Sequence, residues 1–282
     1  MNLSDFEINK IPFIKMHGCG NDFIIIDYNH LENIDIQAFS KKICNRNFGI
    51  GADGLIISYP TEHCDFKMRI INSDGSESEM CGNGIRCFAH YLRLTGKTNK
   101  DYLEIETLAG IIKPHFVKYE KNVSFIKVNM GKPILEPEKI PINNFKDKVI
   151  SEKYLFENKE FTINAVSMGN PHCIIFVKDL DKFDFYYWGP KIEKHNLFPK
   201  KTNVEFAQVI DNKNIKVKVW ERGAGETLAC GTGACATLVT SFLNNFTENK
   251  ANIHLPGGTL NIEWNDNIYM TGPSEFVFFG YI

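Results

Sequence analysis

The sequence predicts an α/β (α+β) protein of two similar halves, each a curved, mainly antiparallel sheet around one central helix, related by a pseudo two-fold axis. Three observations lead there. Short β-branched runs outnumber helical ones. The clearest helical patterns begin directly after two matching glycine turns, "MCGNG" at 80–84 and "ACGTG" at 229–233. A single offset of 149 positions lays much of the chain on itself.

Strand-like runs come first: "FIIID" (23–27), "LIISY" (55–59) and "KMRII" (67–71). After the first turn, Ile85, Phe88, Ala89 and Leu92 recur at helical spacing and Gly96 can close the helix. "FIKVNM" (125–130) reads as a strand. Pro133, Pro137 and Pro141 then introduce a Lys, Glu and Asn-rich stretch, so 131–160 reads as a linker with a surface hairpin. "HCIIFV" (172–177) and "IKVKVW" (215–220) are strands, and "TGACATLVTSFL" (232–243) is apolar nearly all round, as a buried helix is.

The offset that carries Cys81 onto Cys230 also lays Gly20 and Asn21 on Gly169 and Asn170, Glu77 on Glu226, Gly82 on Gly231 and Gly84 on Gly233. "KMRII" falls on "KVKVW", and after a one-residue slip "IETLAG" (105–110) falls on "IHLPGG" (253–258). Equivalent residues of such a duplication are expected on opposite sides of a cleft, with Cys81 and Cys230 facing one another across a ligand.

The chain has 282 residues, 43% of them hydrophobic, enough to fill two cores. Its 32 basic and 34 acidic side chains are interspersed and leave a net charge of -2, so no basic face points to nucleic acid. The start, "MNLSDFEINK", has neither the basic nor the apolar region of a secretory signal, and no apolar run is long enough to span a bilayer. A cytoplasmic protein is expected, its eight cysteines read as thiols before disulfides.

A cysteine at a helix N-terminus meets the positive end of the helix dipole and free N–H groups, which favour the thiolate. The turn's N–H groups suit a carboxylate. Inverting a stereocentre needs a base on one face of the carbon and an acid on the other, and two thiols, one ionised and one protonated, meet that need. Helix N-termini aimed at the carboxylate would support the carbanion-like transition state.

"KMHGCGNDF", "NSDGSESEMCGNGIRC", "MGNPHC", "TNVEFAQV" and "ERGAGETLACGTGACA" together resemble the diaminopimelate epimerase family over about 13–282. The resemblance implies two similar domains and interconversion of LL- and meso-diaminopimelate without pyridoxal phosphate or metal, in lysine and peptidoglycan precursor biosynthesis. It implies Cys81 and Cys230 as the acid/base pair, with His172 and Glu221 tuning them. Asn21, Asn72, Asn170, Asn203, Glu221 and Arg222 would hold the ends of the substrate, Arg222 as a fork on the distal carboxylate. Gly82, Asn83, Gly231 and Thr232 would bind the carboxylate at the reacting carbon. The C-terminal "TGPSEFVFFGYI" would pair back onto the first half, giving domains of 12–130 plus 271–282 and of 131–270. A homodimer is expected. Cys19 departs from the family pattern and leaves its own packing open.

Other readings compete. A lone cysteine is more often a small buried hydrophobe, and Cys44, Cys64, Cys87, Cys173 and Cys235 are read that way. Zinc lacks tight Cys-x-x-Cys pairs. His172 could merely start a strand, the asparagines could be turn residues, and Glu221 with Arg222 an ordinary surface pair. A proline racemase, a dithiol redox protein and a non-catalytic anion-binding module are the rival functions.

Overall fold

The computed structural model describes residues 11–282, so the start "MNLSDFEINK" lies outside the described residues. The chain divides into two compact units, one running to Val128 and resuming at Pro273–Ile282, the other Asn129–Gly272. The first carries β1 (Pro12–Gly18), β2 (Asn21–Asp27), α1 (Ile36–Cys44), β3 (Gly54–Tyr59), β4 (Phe66–Asn72), β5 (Glu77–Ser78), α2 (Gly82–Leu94), β6 (Ile105–Thr107), β7 (Gly110–Ile112), β8 (His115–Lys118) and β9 (Val123–Asn129). The second carries β10 (Glu152–Phe156), β11 (Lys159–Ser167), β12 (Pro171–Phe176), α3 (Phe185–Glu193), β13 (Asn203–Asp211), β14 (Asn214–Glu221), β15 (Gly225–Thr227), α4 (Gly231–Leu243), β16 (Lys250–Leu255) and β17 (Gly258–Trp264). Strand β18 (Ile268–Tyr281) begins in the second unit and ends in the first.

The 149-residue offset reappears in the strand ladders. Phe23 pairs Gly54 across parallel β2 and β3, and His172 pairs Asn203 across parallel β12 and β13. Leu55 opposes Ile71 as Val204 opposes Trp220, and Ile70 opposes Ser78 as Val219 opposes Thr227. Parallel β4 and β6 pair Phe66 with Ile105, matched by Ile215 with Ile253 in β14 and β16, which absorbs the one-residue slip. Register in a sheet decides which face every side chain takes, so each unit places corresponding positions on corresponding faces.

Each sheet is covered on both faces, which explains strands with almost no polar alternation. Ile24, Ile26, Leu55, Ile57 and Ile71 pack with Ile43 and Cys44 of α1. The alternate residues Ile56 and Ile70 turn toward α2. In the second unit Ile163, Ile175, Val204 and Phe206 pack with Phe185, Trp188 and Ile192 of α3. The opposite face meets α4, whose residues Gly233–Ser241 are all buried.

Helix α2 is buried from Asn83 to Leu92, polar residues included. Arg86 explains how: Nε donates to Pro273 O at 3.1 Å, one Nη to Gly82 O at 2.9 Å and the other to Asn83 Oδ1 at 2.7 Å. His90 contacts Ser274 in the same way, at 3.1 Å to its carbonyl and 3.2 Å to its hydroxyl. The returning chain therefore gives partners to Arg86 and to His90 Nδ1 inside the core.

The segment expected as a linker is more than a connection. The hairpin of β10 and β11 is present, but Ile140, Ile142, Val149 and Phe156 are buried in the core of the second unit. Proline-rich composition reports backbone irregularity and not exposure, and the apolar residues among and after the prolines carried the burial.

Candidate active site

Cys81 is the N-cap of α2 and Cys230 the N-cap of α4, both with extended backbone. Neither turn has the Ser, Thr, Asp or Asn usual there. The sulfur takes that place, accepting from Gly84 N at 3.4 Å in one turn and from Gly233 N at 3.4 Å in the other. Behind each turn the chain makes a tight reversal before a strand, where Gly20 and Gly169 both adopt positive φ, 82° and 96°.

In the first unit, Asn21 Oδ1 receives the Cys81 thiol at 3.5 Å and Asn83 Nδ2 at 3.1 Å. Asn21 Nδ2 donates to Asp53 at 2.8 Å, which orients the amide so that its oxygen faces the sulfur. Asp53 is held by Arg46, which also pairs with Asp22 at 2.7 Å, and Lys15 pairs with Asp22 at 2.6 Å. Burial pushes the Asp22 carboxyl up, but hydrogen bonds from Arg46 and Lys15 prevail and hold it at about 2. Asn72 closes the adjoining turn by donating to Ser76 Oγ at 2.9 Å.

The second unit surrounds its thiol differently. Cys230 is buried, with its sulfur 3.4 Å from Thr232 Oγ1. The Glu221 carboxylate lies close enough to act on its titration and accepts from Thr227 Oγ1 at 2.5 Å. Asn170 Nδ2 donates to Thr232 Oγ1 at 3.3 Å, and Asn170 Oδ1 faces His172 Nε2 at 3.1 Å. His172 Nδ1 lies 2.7 Å from Glu205 Oε1, both side chains wholly buried.

At Cys230 the helix end, which favours a thiolate, does not prevail. Burial, then the charge of Glu221, push its thiol well above the ordinary range, and the Thr232 hydroxyl and Gly233 N–H only partly oppose them. Desolvation outweighs the helix end, so Cys230 carries its proton at neutral pH. Glu221 is itself pushed up, chiefly by burial.

Asn203 is buried and ties strands together, donating to Pro171 O at 2.9 Å and accepting from Arg222 N at 2.9 Å. The buried acid Glu193 of α3 accepts from Trp220 Nε1 at 3.1 Å and Gly223 N at 3.0 Å, which fixes the turn that displays Arg222. Arg222 is exposed, and its guanidinium contacts Lys200 O at 3.4 Å. It makes no ion pair with Glu221 among the described residues. Gly82, Asn83, Gly231 and Thr232 open the two helices, where first-turn N–H groups lack intrahelical acceptors.

The structure gathers Cys81, Asn21 and Asn83 in one unit, and Cys230, Thr232, Asn170, His172 and Glu221 in the other. Glu205 was missed by the sequence reading. Its one signal is an acid inside the otherwise apolar "NVEFA", on the face turned to α4. Cys19, left open by the sequence, is buried in the β1–β2 turn at φ 54° beside Arg86. Cys44, Cys87, Cys173 and Cys235 are buried, and burial pushes the Cys87 thiol up to about 12. Cys64 is only half-buried, unlike the packed residue expected.

Comparison with known proteins agrees with this frame. The family model described as diaminopimelate epimerase matches residues 13–136 and 164–277. A diaminopimelate epimerase of Halothermothrix orenii is 52% identical, the match covering 97% of this chain and 98% of its own. That of Methanococcus maripaludis is 48% identical, over 96% and 99%. Among solved structures, a PhzF-family phenazine biosynthesis protein of Bacillus anthracis aligns with a TM-score of 0.70 at 18% identity, over 98% of this chain and 99% of its own. A hydroxyproline epimerase of Agrobacterium vitis aligns at 0.66 and 12% identity, over 98% and 91%. Those two share the fold. With the family model matching most of its length and relatives near half identical along almost all of it, the chain belongs to the diaminopimelate epimerase family.

Proposed function

We propose that this protein interconverts LL- and meso-2,6-diaminopimelate by proton transfer at one α-carbon, without cofactor or metal, in lysine and peptidoglycan precursor biosynthesis. The observation that carries the reading is the pair of helix-capping thiols, Cys81 and Cys230, set in matching frames of a chain of this family.

One thiolate takes the α-proton, the electron pair delocalises into the α-carboxylate, and the other thiol returns a proton to the opposite face. The helix-opening N–H groups of Gly82, Asn83, Gly231 and Thr232 bind that carboxylate and stabilise the charge that develops on it. Cys230 is the acid of the resting pair, because its setting keeps it protonated. Cys81 is then the first base once it has shed the proton its thiol shares with Asn21 Oδ1, and the roles exchange in the reverse direction. His172 and Glu221 tune the Cys230 side. Arg222, exposed beside Asn203, binds the distal carboxylate, and Asn21, Asn72, Asn170 and Asn203 complete or brace the substrate contacts. The reading extends to a cytoplasmic homodimer, which sedimentation velocity checks: a lone monomer at assay concentration removes that part.

Proton NMR of the reduced protein with LL-diaminopimelate in deuterated water tests the activity. The expected result is the meso isomer with deuterium at one α-carbon, and no interconversion by Cys81→Ala or Cys230→Ala. Retention of every α-hydrogen by folded wild type would overturn the substrate, leaving proline and disulfide substrates as the next trials.

A further inference from the structure

Glu205 lies on strand β13, wholly buried, and its Oε2 has no hydrogen-bond partner among the described residues. A carboxylate in such a place needs a counter-charge or a proton. Its one ion pair among the described residues is with His172, at 2.7 Å. The other ring nitrogen faces Asn170 Oδ1, an acceptor, at 3.1 Å. The amide is turned so that its Nδ2 donates to the Thr232 hydroxyl. In that orientation His172 Nε2 carries hydrogen, and a second proton lies between Nδ1 and Glu205.

The next links follow from donor counting. Thr232 Oγ1 accepts from Asn170, so its single proton is available to the Cys230 sulfur 3.4 Å away. The first unit has no counterpart: the positions matching Glu205 and His172 are Ile56 and Phe23, both buried hydrophobes, and Cys81 faces the Asn21 carbonyl instead. Gly233 also leaves room for the arrangement, since a Cβ there would lie 2.5 Å from Glu205 Oε1 and 3.3 Å from the Cys230 sulfur.

We propose that Glu205 is a positioning residue for Cys230. By sharing a proton with His172 Nδ1 it lets the ring keep hydrogen on both nitrogens, so that Nε2 donates to Asn170, and it thereby directs a chain of hydrogen bonds through Asn170 and Thr232 that ends with a hydroxyl donating to the sulfur. The proposal deepens the epimerase reading and rests on it for its purpose, but its test needs no substrate. The titratable groups around the sulfur are Glu205 on β13, His172 on β12 and Glu221 on β14, so a charge effect must be separated from a hydrogen-bond effect.

Two measurements on the full chain do this. The first is nitrogen NMR of histidine-labelled protein, in which His172 Nε2 is expected to be protonated at neutral pH. A bare Nε2 in wild type overturns the proposal. The second follows iodoacetamide alkylation of Cys230 against pH, by peptide mass, in the Cys81→Ala background. Glu205→Gln can still engage Nδ1 through its amide and is expected to keep the wild-type midpoint. Glu205→Ile, which installs the matched residue of the first unit, loses the chain, and the midpoint is expected to rise by about one pH unit, the scale of one hydrogen bond to a charged group. A fall in both variants means that Glu205 acts through its charge, and no shift in either means that it only fills space; each result overturns the proposal. Thr232→Val removes the last donor without touching Glu205 and is expected to reproduce the rise, so the chain can be refuted even if Glu205→Ile fails to fold. Loss of deuterium exchange in wild type would sink the epimerase reading while leaving these results interpretable.

Discussion

At Gly233 a single methyl group would reach Glu205 Oε1 at 2.5 Å, whereas at Gly84 it would meet Ile70 Cδ1 at 3.1 Å. The first neighbour is locked in a buried ion pair, and the second is the flexible end of an aliphatic side chain. Gly233→Ala is therefore expected to cost about 1–3 kcal/mol and Gly84→Ala less, measured by urea unfolding. Asp22 offers a test of pH dependence. Its carboxyl is held at about 2 in the folded protein, below the ordinary value, so its contribution is complete above about pH 4 and disappears as pH falls toward 2. The shift corresponds to about 2 kcal/mol. The stability difference between wild type and Asp22→Asn, followed by urea melts from pH 6 to pH 2, should shrink across that window; a constant difference counts against the account. What composition could not show at this scale was the protonation of Cys230, because a helix N-terminus is visible in sequence and burial is not.

Helix α2 and the C-terminal part of β18 stabilise one another through Arg86 and His90. Arg86→Met keeps most of the packed length and removes the donors to Pro273 O, Gly82 O and Asn83 Oδ1. A loss of about 3–5 kcal/mol is expected, with faster amide exchange in 273–281 than in β3. Unchanged exchange there would show that β1 alone holds the strand. Both central helices were legible as elements, because a glycine turn followed by spaced apolar residues is a local signal. Their complete burial, polar residues included, was legible only for the second, where composition is apolar all round. The role of 131–160 was misjudged for a related reason: three prolines mark irregular backbone, but which side chains of an irregular segment pack inward depends on the sheet beside it.

Across the whole molecule the duplication persists in register while the chemistry has diverged. Glu205 and Glu221 match Ile56 and Asn72, so the second unit places acids, Glu205 wholly buried, where the first has none. Exchange should be asymmetric. Ile56→Glu places a buried carboxylate with no histidine to pair with and is expected to destabilise the protein by several kcal/mol, whereas Glu205→Ile leaves His172 unpaired but able to shed a proton and is expected to cost less. Thermal melts of the two variants at neutral pH compare them directly, and equal losses would show that the acid is incidental to its unit.

The sequence by itself determined the two capping thiols, the helices that follow them, the repeat and the family, because each is written in contiguous residues or in one constant offset. Only the tertiary structure decided that burial and Glu221 push the Cys230 thiol up and that Glu205 pairs with the buried His172. His172, Glu205, Glu221 and Cys230 come from three strands and a helix N-terminus. Their contacts depend on shared burial and hydrogen-bond direction, which exist only once those elements pack together.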